Sequence, residues 1–166
     1  MHAVRTRTFQ NGFTLPEVLI AAVLVAVFFA GIFEVNAICL RYISASKETV
    51  GAIGGVQDRL EQLRNLDFPS LTTTATMKTR LATTANVSPL AKRATETVTI
   101  SEYPSGTPTI TYARNSNGTV TSTPSTVDFG STNLVRVDVD YQWQATFGRR
   151  DLTQQTSTII SAGPKK

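Results

Sequence analysis

The feature that most constrains the fold of this chain is an apolar run close to its start. Residues 18–33 include no charged or strongly polar side chain, and with the preceding FTLPE they make about 21 residues. A helix of about 20 apolar residues is long enough to cross a bilayer. Pro16 is compatible with such a helix, because in the first turn its missing N–H would have no intrahelical partner. The run therefore predicts a membrane-spanning helix.

The basic residues around the run predict its orientation. Arg5 and Arg7 precede it, and the next basic residue after it is Arg41. Because basic residues are retained on the cytoplasmic side, we expect the N-terminus in the cytoplasm and everything after about residue 36 outside.

One acid, Glu17, lies inside this segment, where a charge costs about 2.5–3.5 kcal/mol on insertion scales. A plain membrane anchor accounts for the length of the run and for the arginines, but it leaves the acid unexplained. A secretory signal is an alternative, with a passable cleavage site at residues 35–37 that would leave Ile38 first, although its apolar region is normally shorter. A lipoprotein signal is excluded, because Ile38 is not small and it directly precedes Cys39.

The residues GFTLPE at 12–17, followed by the long apolar helix, resemble the class III leader of type IV pilins and type II secretion pseudopilins. The resemblance implies that a prepilin peptidase cuts between Gly12 and Phe13, and that Phe13 is then N-methylated. Glu17 matches the acid that the family carries five residues into the mature chain. The likeness is specific over about residues 8–35 and only architectural beyond them.

This resemblance gives Glu17 an expected role in assembly. Removal of the leader would leave an ammonium on Phe13, and in a bundle of such helices the ammonium of one subunit can pair with Glu17 of a neighbour. The pair would offset the desolvation of the acid and set the axial register of the helices. In the unassembled protein we expect Glu17, one turn from the helix end, to reach the headgroup boundary.

Beyond the apolar run, the predicted helix continues as an amphipathic segment that ends near Leu66, before Pro69. Its apolar residues recur at spacings of three and four, and its charged residues are expected mostly on other faces. The apolar stripe comprises Ile53, Val56, Leu60 and Leu63, and the charged residues are Arg59, Glu61 and Arg64. Gly51, Gly54 and Gly55 weaken this part, so the helix either bends there or packs closely against a sheet.

The remainder of the chain predicts an antiparallel sheet. Apolar and polar side chains alternate strictly over residues 135–147, which is typical of a strand with one buried face, and Tyr141 and Trp143 belong to that face. A turn and a second strand follow. Further strands are expected at 96–100, 109–113 and 119–122, and residues 70–90 are expected to form a loop with short elements at most. The predicted class is α+β: a long N-terminal transmembrane and amphipathic helix packed on a C-terminal antiparallel β-sheet, as in pilins.

The cysteine and histidine content excludes several kinds of site. Cys39 is the only cysteine, and the only histidine, His2, lies in the leader. A mature product therefore has no histidine for acid–base catalysis, catalytic triads or metal ligation. Asp138 and Asp140 are expected on a solvated strand face rather than at a calcium site. We predict no metal and no cofactor.

The net charge gives no argument for nucleic-acid binding. It is +4 for the full chain, and removing Arg5 and Arg7 with the leader leaves 4 − 2 = +2. The sequence has no basic stripe with interleaved aromatic residues, and its only basic cluster in the outer domain is Arg149–Arg150.

The residues and the resemblance together predict a structural subunit with four segments rather than an enzyme. The segments are a leader at 1–12, a transmembrane half-helix at 13–36, an amphipathic half-helix at 37–68 and an exported β-rich domain at 69–166. An exported hydrolase is disfavoured, because Glu96 and Glu102, expected in loops, form no recognisable catalytic pair.

The implied function is that of a minor pilin or pseudopilin in a type IV pilus or type II secretion filament. The implied partners are prepilin peptidase, other pilin or pseudopilin subunits, the assembly platform and the bacterial inner membrane, with no small-molecule substrate. The chain would be stored as a single-pass protein with its outer domain in the periplasm, and would then join a filament at the cell surface. Two alternatives stay open: an adhesin-like or DNA-uptake module carried on a pilin stem, and an exported β-domain with an ordinary signal or anchor.

Overall fold

A computed structural model describes residues 12–130 and 132–163. Its helices are α1 (Leu15–Arg64), α2 (Phe68–Thr72), α3 (Thr74–Leu81) and α4 (Pro89–Arg93). Its strands are β1 (Thr95–Glu102), β2 (Thr109–Arg114), β3 (Val120–Thr123), β4 (Leu134–Gln144) and β5 (Asp151–Ser161). The predicted α+β class, with a long N-terminal helix and a C-terminal antiparallel sheet, is confirmed.

Helix α1 has 50 residues, and two compact units meet within it, one ending at Tyr42 and the other beginning at Ile43. We call residues 15–42 the stem and the unit that begins at Ile43 the outer domain. The helix begins where the Thr14 carbonyl accepts a hydrogen bond from the Val18 N–H at 3.1 Å. It ends two residues before the predicted Leu66, whose N–H turns back to the Leu63 carbonyl in a tighter turn.

The five strands form one antiparallel sheet in the order β3-β2-β1-β4-β5. The predicted strands are confirmed to within about two residues, except at the end of β4. There the alternation was expected to reach Phe147, but Phe147 lies in the following loop and is 51% exposed. The strand ends earlier because the Ala145 N–H donates to the Arg150 carbonyl at 2.8 Å and closes a turn.

The core of the outer domain lies between one face of α1 and the inner face of the sheet. The side chains of β4 that were predicted to be inward are buried, Tyr141 and Trp143 among them. Val56 and Leu63 of the predicted helix stripe are buried as well, and Leu60 packs against the cluster. The stripe was wrong at Ile53, which is 39% exposed, because the buried face is turned toward Ala52 and Gly55 instead.

Residues 70–90 were expected to form a loop with short elements at most, and the structure places three short helices, α2, α3 and α4, in and around this segment. Asp67 caps α2 by accepting the Ser70 N–H at 3.1 Å, and Ser88 caps α4 by accepting the Ala91 N–H at 3.1 Å. Both caps are followed by an early proline, a typical helix start. The helices are held by burial of their apolar residues, which are Leu71, Met77, Leu81, Leu90 and Ala91.

Arg59 and Glu96 correct a further expectation. Arg59 was expected off the apolar face, and Glu96, although it begins the strand expected at 96–100, was grouped with Glu102 as a loop residue. Both Arg59 and Glu96 are 1% exposed, and Glu96 and Glu102 both lie in β1. The Arg59 guanidinium donates to both oxygens of the Glu96 carboxylate, and its Nη2 also donates to the Thr83 carbonyl at 2.6 Å. Gln62 adds an acceptor to Nη1 at 2.8 Å. The charge of Arg59 is tolerated between helix and sheet because the guanidinium is paired with a carboxylate and is hydrogen-bonded to further acceptors.

Gly55 shows why the helix carries glycine where it faces the sheet. A Cβ at this position would lie 2.6 Å from Cε2 of the buried Tyr141 ring, so the close-packing explanation holds here. At Gly54, one residue earlier, a Cβ would meet nothing within 4 Å.

We therefore expect Gly55→Ala to destabilise the protein by about 1–2 kcal/mol, because the overpacking cost exceeds the gain in helix propensity. The matched control, Gly54→Ala, has open space and should stabilise the protein by up to about 1 kcal/mol. Thermal unfolding of the full chain in detergent measures both. Equal effects of the two substitutions would contradict the packing argument.

Candidate functional site: the N-terminal segment and the stem

The predicted processing residues lie just before the long helix. Gly12, Phe13 and Thr14 have no regular secondary structure, and α1 begins at Leu15. Phe13 is 81% exposed, so neither burial nor helical hydrogen bonding shields the peptide bond that joins it to Gly12. The leader residues Arg5, Arg7 and His2 lie outside the described residues.

Glu17 stands in the first turn of α1, where an acid interacts favourably with the positive end of the helix dipole. Its side chain is exposed. Among the ion pairs of the described residues, none includes Glu17. Among the described residues, therefore, the Glu17 carboxylate interacts with the N-terminal end of the helix and forms no ion pair.

The stem presents an apolar surface on all sides. It belongs to the one helix of the described chain that is long and apolar enough to cross a membrane, and its apolar window is entirely unburied. The large exposed residues include Leu24, Val27, Phe28, Phe29 and Phe33. A continuous apolar surface of this size must be covered by lipid or by other protein.

Residues 7–33 match a family model described as the prokaryotic N-terminal methylation motif. The match supports a type IV pilin-like protein with a long N-terminal apolar helix. The motif implies processing by prepilin peptidase and assembly with other pilin subunits, and the apolar helix that follows fits anchoring in the inner membrane. No curated protein and no solved structure matches the chain at a significant level.

The acidic pair on β4 offers no comparable site. Asp138 accepts hydrogen bonds from the Arg136 guanidinium at 2.9 and 2.8 Å, and Asp140 accepts them from Gln142 and Thr153. In the parts of the chain that the structure describes, no three His, Cys, Asp or Glu side chains are grouped to hold a metal ion. Both carboxylates therefore accept hydrogen bonds from polar side chains of the outer sheet face.

A charged cluster that sequence reasoning missed joins α1 to the far end of the sheet. Glu48 accepts hydrogen bonds from the Arg93 guanidinium at 2.7 Å and from both the side chain and the N–H of Thr146. Burial alone would raise the pKa of Glu48, but the hydrogen bonds from Thr146 and Arg93 outweigh it and lower the pKa below its ordinary value of 4.5. Its partners lie 45 and 98 residues away, which no local pattern could indicate.

We expect Glu48→Gln to cost about 1–2 kcal/mol at neutral pH, since a charge-assisted network with a partly exposed arginine is lost. Because the folded-state pKa of Glu48 is depressed, its contribution is present above about pH 4.5 and is lost as the pH falls through the folded-state pKa. The stability gap between wild type and variant should therefore narrow in acid. Thermal unfolding at several pH values measures it.

Glu61→Gln is the matched control for this prediction. Its ion pair with Arg64 is exposed at both side chains, so we expect a change within about 0.5 kcal/mol at any pH. A gap at Glu48 that stays constant with pH would contradict the assignment.

Proposed function

We propose that this chain is a structural subunit, a minor pilin or pseudopilin, of a filament of the type IV pilus or type II secretion kind. The observation that carries the proposal is the exposed apolar stem, whose first turn holds an acid with no ion pair among the described residues, directly preceded by the exposed Gly12–Phe13 bond. A structural subunit needs no catalytic group, and the fold and the motif favour that role over an enzyme.

In this proposal, prepilin peptidase removes residues 1–12 and Phe13 becomes the N-methylated first residue. Before assembly, the processed chain is anchored in the inner membrane, with the stem in lipid and the outer domain in the periplasm. The half-helices at 13–36 and 37–68 then serve as membrane anchor and as support for the β-rich domain at 69–166. The assembly platform moves the stem from lipid into a bundle of other stems.

Transfer into the bundle leaves the apolar surface covered but removes Glu17 from the headgroup region. An isolated buried carboxylate is strongly unfavourable, so the bundle must supply a cation. The Phe13 ammonium of a neighbouring subunit has the right charge and stands just outside the helix. Their pairing makes one axial position of the incoming subunit more stable than the others.

We expect Glu17→Gln to leave leader removal unchanged and to reduce incorporation into sheared filaments by at least tenfold. The neutral amide keeps the size of the side chain but cannot pair with the ammonium. Immunoblots of the membrane and filament fractions measure processing and incorporation separately. Unchanged incorporation of the processed variant would contradict the proposed role of the acid.

The control Val18→Leu changes the next residue of the same exposed helical turn without changing charge, so both processing and incorporation should be retained.

A further inference from the structure

Two opposite charges follow the apolar run of the stem. Glu34 directly succeeds the residues 18–33, and Arg41 lies seven positions later. Both side chains are exposed. Seven residues are close to two full turns, so the two charges lie on nearly the same side of α1. Ile38, a large exposed apolar residue, lies one turn beyond Glu34 on the same side of α1.

Glu34 and Arg41 are not paired with each other within the chain. Seven helical residues separate their Cα atoms by about 10.5 Å along the axis, beyond the three or four residues at which side chains of one helix normally pair. The ion pairs found among the described residues include neither of them. Each of the two charges could therefore be paired by the opposite charge of a second copy of the helix, provided that this copy is shifted along the axis.

The pairing proposed for the N-terminus fixes such a shift. From Thr14, the first hydrogen-bond acceptor of α1, to Glu17 the helix rises about 4.5 Å, and non-helical Phe13 adds up to about 3.6 Å. Placing the Phe13 ammonium of one subunit beside Glu17 of the next thus shifts the first subunit by about 8 Å toward the C-terminal end of its neighbour.

The same shift moves Glu34 of the first subunit toward Arg41 of the neighbour. The direction agrees in both pairs, since each joins an earlier residue of the shifted chain to a later residue of its neighbour. The required distances, about 8 and about 10.5 Å, differ by less than the reach of an arginine side chain, which in a helix leans toward the N-terminus. One axial stagger therefore brings the members of both pairs to nearly the same level along the axis.

We propose that Glu34 of one subunit forms an ion pair with Arg41 of a second copy of this chain, in the same register that joins Phe13 to Glu17. This inference rests on the proposed assembly function and names the partner surface that the stem recognises. The charges favour another copy of this chain as the partner. A neighbouring stem must carry a cation seven residues after the position that corresponds to Glu34, and this chain carries Arg41 there. Ile38, one turn beyond Glu34 on the same side, would help to exclude water around the pair.

Cysteine cross-linking of the full chain tests the register. In a Cys39→Ala background, the double substitution Glu34→Cys and Arg41→Cys is introduced, and the assembled protein is oxidised before non-reducing electrophoresis. A bridge within one chain is excluded, because the positions are about 10.5 Å apart and disulfides need Cα atoms within about 7 Å. We expect covalent dimers and higher multimers from the double variant and at least fivefold fewer from either single variant.

The matched control is Ala30→Cys with Arg41→Cys, which probes a stagger about one turn longer, about 16.5 Å, and likewise excludes a bridge within one chain. It should give at least fivefold less product than the 34/41 variant. Equal or greater product from this control, or none from the 34/41 variant, overturns the proposed register.

Charge exchange gives a second test that does not depend on disulfide formation. Glu34→Arg should reduce incorporation into filaments at least tenfold, and adding Arg41→Glu in the same chain should restore it, because every intersubunit pair is then reversed but complementary. Failure of the exchange to restore incorporation overturns the pair.

Leader removal, measured on the same samples, distinguishes a failure of this inference from a failure of the proposed function. If leader removal and the Glu17 dependence hold while the 34/41 cross-link and the charge exchange fail, only this inference is wrong. If the chain is not processed or Glu17 is dispensable, the proposed function itself fails and the register argument fails with it.

Discussion

The proposed assembly depends first on the free-energy cost of desolvating Glu17. The acid stands in the first turn of a helix whose stem is apolar and exposed on every side. In lipid it can stay near the headgroups, but in a bundle of stems it needs a cation. A polar group that must be paired selects one register among many that apolar packing alone would allow. In the proposed assembly, the stem is thereby both a membrane anchor and the element that sets the register of the subunits.

The outer domain also removes charges from water, but it pairs them within the chain. Arg59 is as buried as any core leucine, but Glu96 and the carbonyl of Thr83 surround its guanidinium, so its charge is compensated inside one chain. Glu48 is held in a similar way by Arg93 and Thr146. These contacts tie α1 to the sheet and to the segment before it. Glu17, Glu34 and Arg41 differ because none of them forms an ion pair among the described residues, and in the proposed assembly a second subunit compensates their charges.

Sequence reasoning predicted the elements with a strong local signal. The alternation along β4 placed Tyr141 and Trp143 in the core, and the apolar run predicted the long helix. It failed at Arg59, since a periodicity argument treats every cation as solvated and cannot see a carboxylate 37 residues away. It also missed α2 to α4, whose burial depends on the finished sheet, although the caps at Asp67 and Ser88 were visible signals. The roles of Gly12, Phe13 and Glu17 stay predictions that rest on the motif.

Intact mass and N-terminal sequencing of the protein from membranes, with and without prepilin peptidase, would show directly whether the chain is processed as a pilin. The account predicts a chain that begins at Phe13, carries one extra methyl group on its amino terminus, and appears only when the peptidase is present. An uncut chain, or one that begins at Ile38 regardless of the peptidase, would contradict it.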